Sequence, residues 1–266
     1  MPEGHSIHRY ARLHRRTFAG HRLRVSSPQG RFSEGASDLD GRVLETVDAT
    51  GKHLFYRWGG GRTLHVHLGL FGRFTTFDAN PPEPTAGTRL AFRSSEATLY
   101  LAGPTICDLI DPAEEAAIRD RLGPDPLAGD SPDRLVQALA RRRIGIGAAL
   151  LDQRVMAGIG NVYRAEFLFL VGIHPDVPAR EVPHDDTRLL WDLAVAHMRR
   201  GERSGRIVTV DPGELGARRR SDLAAHERLY VYHREGEPCR RCGTEITRHE
   251  LAGRAVWWCP RCQPAP

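Results

Sequence analysis

Leu54-Phe55-Tyr56-Arg57-Trp58-Gly59-Gly60-Gly61-Arg62-Thr63-Leu64-His65-Val66-His67-Leu68-Gly69-Leu70 decides how the first half of this chain is read. Leu54, Tyr56 and Trp58 alternate along the first run with Phe55 and Arg57 between them. Beyond the glycines, Leu64, Val66, Leu68 and Leu70 alternate with Thr63, His65 and His67. A period of two means a strand with one face in a core. Three glycines between two such runs predict a hairpin.

Working outward, Arg89–Phe92 and Thr98–Leu101 predict a second strand pair, and His8–Phe18 a short helix. Residues 1–122 therefore read as an N-terminal β-sandwich with flanking helices. Pro124, Pro126, Gly129 and Pro132 predict a linker over 123–132, with Ser131 as N-cap and Pro132 at the first helical position. Helices are predicted over 133–142, 146–156, 161–171 and 185–200, with Leu189, Leu193, Ala196 and Arg200 sharing one face of the last. Periodicity fades over 201–222, which predicts a mobile loop. A helical domain over 133–225 and a small cysteine unit over 226–266 complete an α+β chain.

The 266 residues carry a net charge of +5, which suits a polyanionic partner without demanding one. A single lysine, Lys52, stands against 37 arginines. In a chain that avoids lysine, the one retained is expected to need a titratable ammonium. No secretory signal and no apolar run of membrane-spanning length are visible, and the cysteine pattern suits a reducing, cytoplasmic setting.

Cys239, Cys242, Cys259 and Cys262 form C-x2-C-x16-C-x2-C. Each C-x2-C pair suits a knuckle that presents two thiolates to one tetrahedral zinc. The competing readings are two disulfides or four unrelated thiols, which the reducing setting disfavours. With no open coordination position, one structural Zn2+ is expected, folding a hairpin too small for its own core. Arg254 falls within that hairpin, where an arginine suits a phosphate contact. Cys107 lies apart and reads as a buried apolar residue.

The chain opens Met1-Pro2-Glu3-Gly4-His5. Methionine is normally removed before proline, which leaves Pro2 with a free secondary amine. An α-amino group has a pKa of about 8, so much of it is unprotonated near neutral pH and can act as a nucleophile. Glu3 is the adjacent candidate for acid–base work.

Together these residues resemble the formamidopyrimidine-DNA glycosylase and endonuclease VIII (Fpg/Nei) family. Met1-Pro2-Glu3-Gly4 is similar to the start of the endonuclease VIII branch. Gly51-Lys52-His53-Leu54 resembles the family's β-turn lysine motif. Leu150-Leu151-Asp152-Gln153, Gly158-Ile159-Gly160-Asn161-Val162-Tyr163 and Glu166 resemble its helix-two-turn-helix signature, and Glu237 through Gln263 its zinc finger.

The resemblance implies a bifunctional glycosylase and abasic-site lyase for damaged DNA, single- or double-stranded, working as a monomer without a small-molecule cofactor. It makes Pro2 the nucleophile, Glu3 its acid–base partner, and Lys52 the bridge between lesion and phosphate. Asn161 and Arg254 become phosphate ligands, Arg254 also assisting the second elimination; taken alone, Asn161 also reads as a simple N-cap and Arg254 as a solvated arginine. Leu70 and Phe71 look like the wedge that fills the gap left by an extruded nucleotide; the other reading is ordinary core at a strand end. The family's start, Pro-Glu-x-Pro-Glu, is broken here by His5 and Ser6. Either His5 takes over part of the second glutamate's work, or base excision is weaker than cleavage at abasic sites. Arg218-Arg219-Arg220 matches nothing in the family's lesion-covering loop. A non-catalytic damage- or single-strand-binding protein would need no Pro2, Glu3 and Lys52 together, and a zinc-ribbon transcription protein would not explain the N-terminus.

Overall fold

The computed structural model describes residues 2–78 and 80–266. The chain divides into two compact units, 1–121 and 122–266.

In the first unit, α1 (Gly4–Phe18) leads into β1 (Arg24–Ser26), α2 (Ser33–Leu39), β2 (Leu44–Thr50), β3 (His53–Trp58), β4 (Arg62–His67), β5 (Arg73–Asp78), β6 (Thr88–Arg93), β7 (Ala97–Ala102), β8 (Ile106–Ile110) and α3 (Pro112–Asp120). Two antiparallel four-stranded sheets form, in the orders β1-β6-β7-β5 and β2-β3-β4-β8. Leu54, Tyr56, Trp58, Leu64 and Val66 from one sheet and Leu90, Phe92, Leu99 and Leu101 from the other share a single core. The rings of Tyr56 and Trp58 meet Phe92 edge-on at 5.6 and 5.5 Å. The expected sandwich is thus formed by the alternation that predicts it. Cys107 is buried in that core, and burial pushes its thiol up to about 12.

Helix α1 starts four residues earlier than the sequence suggests. Ser6 receives a hydrogen bond from the Glu3 N–H (3.1 Å) and returns its hydroxyl to the Glu3 carbonyl (2.7 Å), so the first turn closes directly after Glu3. Ile7, Ala11, His14 and Phe18 then fall on the buried face, which packs on β2 and β3.

Strand β4 stops at His67, not Leu70. Gly69 adopts φ 64°, and a Cβ there would lie 1.9 Å from Thr105 Oγ1, so the chain leaves the pleat at a residue only glycine can supply.

The second unit holds α4 (Pro132–Ala140), α5 (Ile146–Ala149), α6 (Asn161–Val171), α7 (His184–Ser204) and an antiparallel hairpin of β9 (Thr247–Leu251) and β10 (Arg254–Trp258). Ser131 caps α4 through the Asp133 N–H, as expected. The stretch expected as a linker is packed: residues 122–126 are buried, and Gly123 N–H donates to the Gln153 carbonyl at 2.8 Å. The helix predicted over 146–156 is one turn long. Asp152 accepts the Arg154 N–H (3.0 Å), and Gln153 bridges the Gly158 N–H (3.0 Å) to the Ile159 carbonyl (2.9 Å); these side chains hold the tight turns before α6.

Helix α7 runs to Ser204, and its buried stripe is Thr187, Leu190, Trp191, Ala194, His197 and Met198. This corrects the face expected from sequence: Leu189 is 44% exposed. Residues 205–222 include short 3-10 turns at Pro212–Leu215 and Arg220–Asp222, and Thr209 and Val210 are buried. Among the described residues no helix is long and apolar enough to cross a membrane.

Burial holds several histidines of the first unit neutral. His14 is lowered to about 3 and His53 to about 3, chiefly by burial, and His5 and His65 to about 4. In the unfolded chain these groups titrate near 6.5. The folded state therefore binds fewer protons, so their stabilisation is full above about pH 6.5 and drains away as pH falls toward 4. The unfolding midpoint of this unit is expected to drop steadily from pH 7 to pH 4. Scanning calorimetry should show a shallower slope in His14→Gln, which can keep a hydrogen bond to the Tyr56 hydroxyl (2.7 Å in the parent) but does not titrate. A flat midpoint between pH 6.5 and 4.5 would contradict this account.

Candidate active site and zinc hairpin

Pro2 is half-buried at the entry to α1, and Glu3 beside it is fully buried as the N-cap residue. A carboxylate there sits at the positive end of a fifteen-residue helix. Ser6, at the position of the family's second glutamate, is occupied with capping. His5 is buried, and burial with the nearby Arg9 lowers it to about 4, so it is neutral at physiological pH.

Lys52 lies in the two-residue turn between β2 and β3, where Thr50 pairs with His53. Gly51 takes φ 57°, as the first position of a type II′ turn requires. Because α1 packs on both of these strands, one rigid assembly carries Pro2, Glu3 and Lys52. Lys52 is close enough to His67 for its charge to join burial in lowering that imidazole.

Leu70 (54% exposed) and Phe71 (83% exposed) ride on the tight turn after β4, closed by Gly72 N–H donating to the Leu68 carbonyl at 2.9 Å. Exposure rules out the core reading for this pair.

The second unit gathers the remaining predicted residues. The four cysteine sulfurs lie within 4.8 Å of one another. The Cys239–Cys262 and Cys242–Cys259 sulfurs are 3.9 and 3.4 Å apart. A tetrahedral zinc with Zn–S bonds of about 2.3 Å sets sulfurs roughly 3.8 Å apart, so the donor set fits one zinc ion and leaves no position open.

The hairpin above it turns at Ala252-Gly253, and Arg254 is exposed as the first residue of β10. Asn161 is the first residue of α6, not its N-cap; that place is taken by Gly160. Its side-chain amide donates to the Ala255 carbonyl at 3.0 Å. Asn161 and Arg254 are thereby brought within two residues of one bond.

Three residues with no role in the sequence reading build this arrangement. Arg164, fully buried, donates to the Ala255 carbonyl (2.8 Å) and to Asn161 Oδ1. Gln263 accepts the Cys259 N–H (3.0 Å) and donates to the Ile173 carbonyl (2.8 Å), fastening the zinc knuckle to the chain after α6. Glu166 is fully buried and accepts from the N–H groups of Tyr230 (2.8 Å), Val231 (2.9 Å) and Tyr232 (2.8 Å), with the Thr209 hydroxyl as a fourth donor. An arginine and a glutamate inside the apolar pattern of α6 were the available signal for Arg164 and Glu166, because such groups are buried only when paired.

Comparison with known proteins agrees with this anatomy. Residues 1–105 match the formamidopyrimidine-DNA glycosylase N-terminal domain, residues 122–211 its H2TH domain, and residues 236–265 the zinc finger found in FPG and IleRS. The chain is 47% identical to Endonuclease 8 1 of Mycobacterium tuberculosis, covering 99% of this chain and all of that protein. It is 34% identical to the formamidopyrimidine-DNA glycosylase of Heliobacterium modesticaldum, covering 85% and 83%. Among solved structures, MutM in complex with DNA containing carbocyclic 8-oxo-G superposes with a TM-score of 0.84 at 25% identity, over 99% of this chain and all of that one. Lactococcus lactis Fpg with DNA containing an abasic site gives 0.83 at 23%, with the same coverage, and speaks for the fold alone. The chain belongs to the formamidopyrimidine-DNA glycosylase/endonuclease 8 family of DNA repair glycosylases.

Proposed function

We propose that this enzyme is a bifunctional DNA glycosylase and abasic-site lyase that works through the secondary amine of Pro2. The observation that carries the reading is the junction of Pro2 with a helix whose N-cap residue, Glu3, is fully buried beside it. The Pro2 lone pair forms a bond to C1′ of the damaged nucleotide, and the base departs with the C1′–N electrons and a proton. Opening of the sugar, with O4′ protonated, gives an iminium that carries a fixed charge because the amine is secondary. It withdraws electrons from C2′, whose proton is lost as the 3′ phosphate leaves. A second elimination expels the 5′ phosphate, and hydrolysis frees Pro2. Glu3 handles the proton at O4′. Lys52, Asn161 and Arg254 hold phosphates, and Leu70 with Phe71 fills the void in the duplex.

Relatives named endonuclease 8 and the endonuclease VIII-like start favour oxidised pyrimidines. A neutral His5 is a poor proton donor and Ser6 is engaged in capping, so neither replaces the second glutamate. Cleavage at abasic sites is therefore expected to outpace base excision. The enzyme acts as a monomer in the cytoplasm.

Borohydride reduction in the presence of an abasic-site oligonucleotide tests the reading. A covalent protein–DNA adduct is expected from the processed protein, mapping to the Pro2 nitrogen, and not from protein whose α-amine is blocked by acetylation. No adduct from the processed protein would rule out the lyase and leave a DNA-binding protein.

A further inference from the structure

Beside Lys52 lies a column of rings that neither the family motif nor the chemistry above explains. His53 closes the lysine turn and faces His67 across the β3–β4 ladder. Its ring centroid is 4.9 Å from that of His67 and 5.1 Å from that of His65, and it lies within 18° of parallel to the latter. His53 Nδ1 and His65 Nε2 share a hydrogen bond of 2.8 Å. His65 stacks in turn on Phe55 (5.2 Å, 12°), and the Arg119 guanidinium of α3 covers Phe55 at 4.1 Å.

The foot of the column is fixed. Arg119 pairs with Asp48 (2.8 Å) and Glu115 (2.9 Å), and it also donates to the Thr50 hydroxyl. Thr50 and His53 are the two residues that flank the Gly51-Lys52 turn, so Arg119 and the stacked rings hold both ends of it. At the top, His67 Nδ1 accepts the Gly69 N–H at 3.1 Å.

We propose that His53 and His65 are positioning residues for Lys52: their shared hydrogen bond fixes the column that sets where the lysine turn presents its ammonium. Lysine has four side-chain torsions, and a turn free to tilt would spread its ammonium over several ångströms. A misplacement of about 1 Å at a reacting group can cost up to a hundredfold in rate. The column suits this task because it is stiff and uncharged. Burial keeps His53 and His65 neutral; neighbouring imidazoles and Arg119 push the same way, as does Arg121 at His53, while Glu115 opposes them at His65. The inference rests on the role proposed for Lys52.

The test is single-turnover cleavage of an abasic-site oligonucleotide by full-length, zinc-loaded protein. Affinity for an uncleavable tetrahydrofuran analogue is measured alongside. His53→Ala and His65→Ala are each expected to slow cleavage about tenfold while affinity stays within about threefold. His65→Gln, with a donor and an acceptor at the right reach, should restore most of the rate. In a Lys52→Gln background, His65→Ala should cost nothing further, because the histidines act through the lysine. Circular dichroism and melting confirm folding, and His53→Asn serves if His53→Ala does not fold. Unchanged rates in the folded variants, an equal loss in the Lys52→Gln background, or failure of His65→Gln to rescue would each overturn the proposal. No borohydride adduct from the parent protein would instead overturn the reading of Pro2, and this inference with it.

Discussion

Zinc removal is expected to abolish DNA binding while leaving the β-sandwich folded. The hairpin of β9 and β10 has a small apolar interior, and the four cysteines close it. Structural zinc supplies on the order of 10 kcal/mol to fingers of this size, more than such a hairpin can replace from packing. Once the knuckles open, the Ala255 carbonyl moves away from Asn161 and Arg164, and Arg254 loses the strand that aims it. Loss of the two proposed phosphate ligands, at roughly 1.5–3 kcal/mol for each charged or charge-assisted hydrogen bond, is expected to weaken binding on the order of a hundredfold or more.

The four cysteines lie entirely in the second unit, whereas Leu54, Tyr56, Leu64 and Phe92 pack in the first. Chelation, or Cys259→Ser, should therefore deprotect hairpin amides to hydrogen exchange and leave those of β3 and β4 protected. Binding to an abasic-site duplex should vanish in the same samples. DNA binding that survives complete zinc loss would show that the hairpin does not hold Arg254 and Asn161 for phosphate.

The parts of this molecule legible in the sequence are those whose physics is local. The C-x2-C pairs, the alternation of β3 and β4 and the Ser131 cap each depend on neighbours a few residues away, whereas the Gly51-Lys52 turn was legible through the family motif. Where the reading missed, the deciding contact was distant or geometric. Leu70 continues the alternation of β4, yet Gly69 turns the chain out because Thr105 leaves no room for a Cβ. In α7 the packing against α4 and α6 centres the buried stripe on Leu190, Trp191 and Ala194, which leaves Leu193 half-buried at its edge and Leu189 exposed. The start of α1 was hidden because Ser6 looked like a lost glutamate when it is a capping residue. The histidine column needs the register His53↔His67, which spacing alone does not give.

Glu166→Ala is expected to be the most damaging single substitution in the second unit that touches neither zinc nor DNA. Its carboxylate accepts three consecutive backbone N–H groups, from Tyr230 to Tyr232, and the Thr209 hydroxyl. Thr209, Tyr230 and Val231 are buried and Tyr232 is half-buried. Removing the acceptor strands these donors, at about 1–3 kcal/mol for each that finds no new partner. Partial relaxation brings the expected loss to about 3–5 kcal/mol, or roughly 10–16 °C in the midpoint of a unit this size. Glu166→Gln should recover only part of the loss, because its single oxygen can hold two of the donors while its NH2 faces the other two. Glu166→Asp, one methylene shorter, keeps the charge but not the reach to all three amides and should fall between. The stretch these amides anchor leads directly into the Cys239 knuckle, so zinc affinity should fall along with the midpoint. Thermal melts with competitive zinc titration of the three variants would check both effects. A Glu166→Gln protein as stable as its parent would show that the ring of amides does not require a carboxylate.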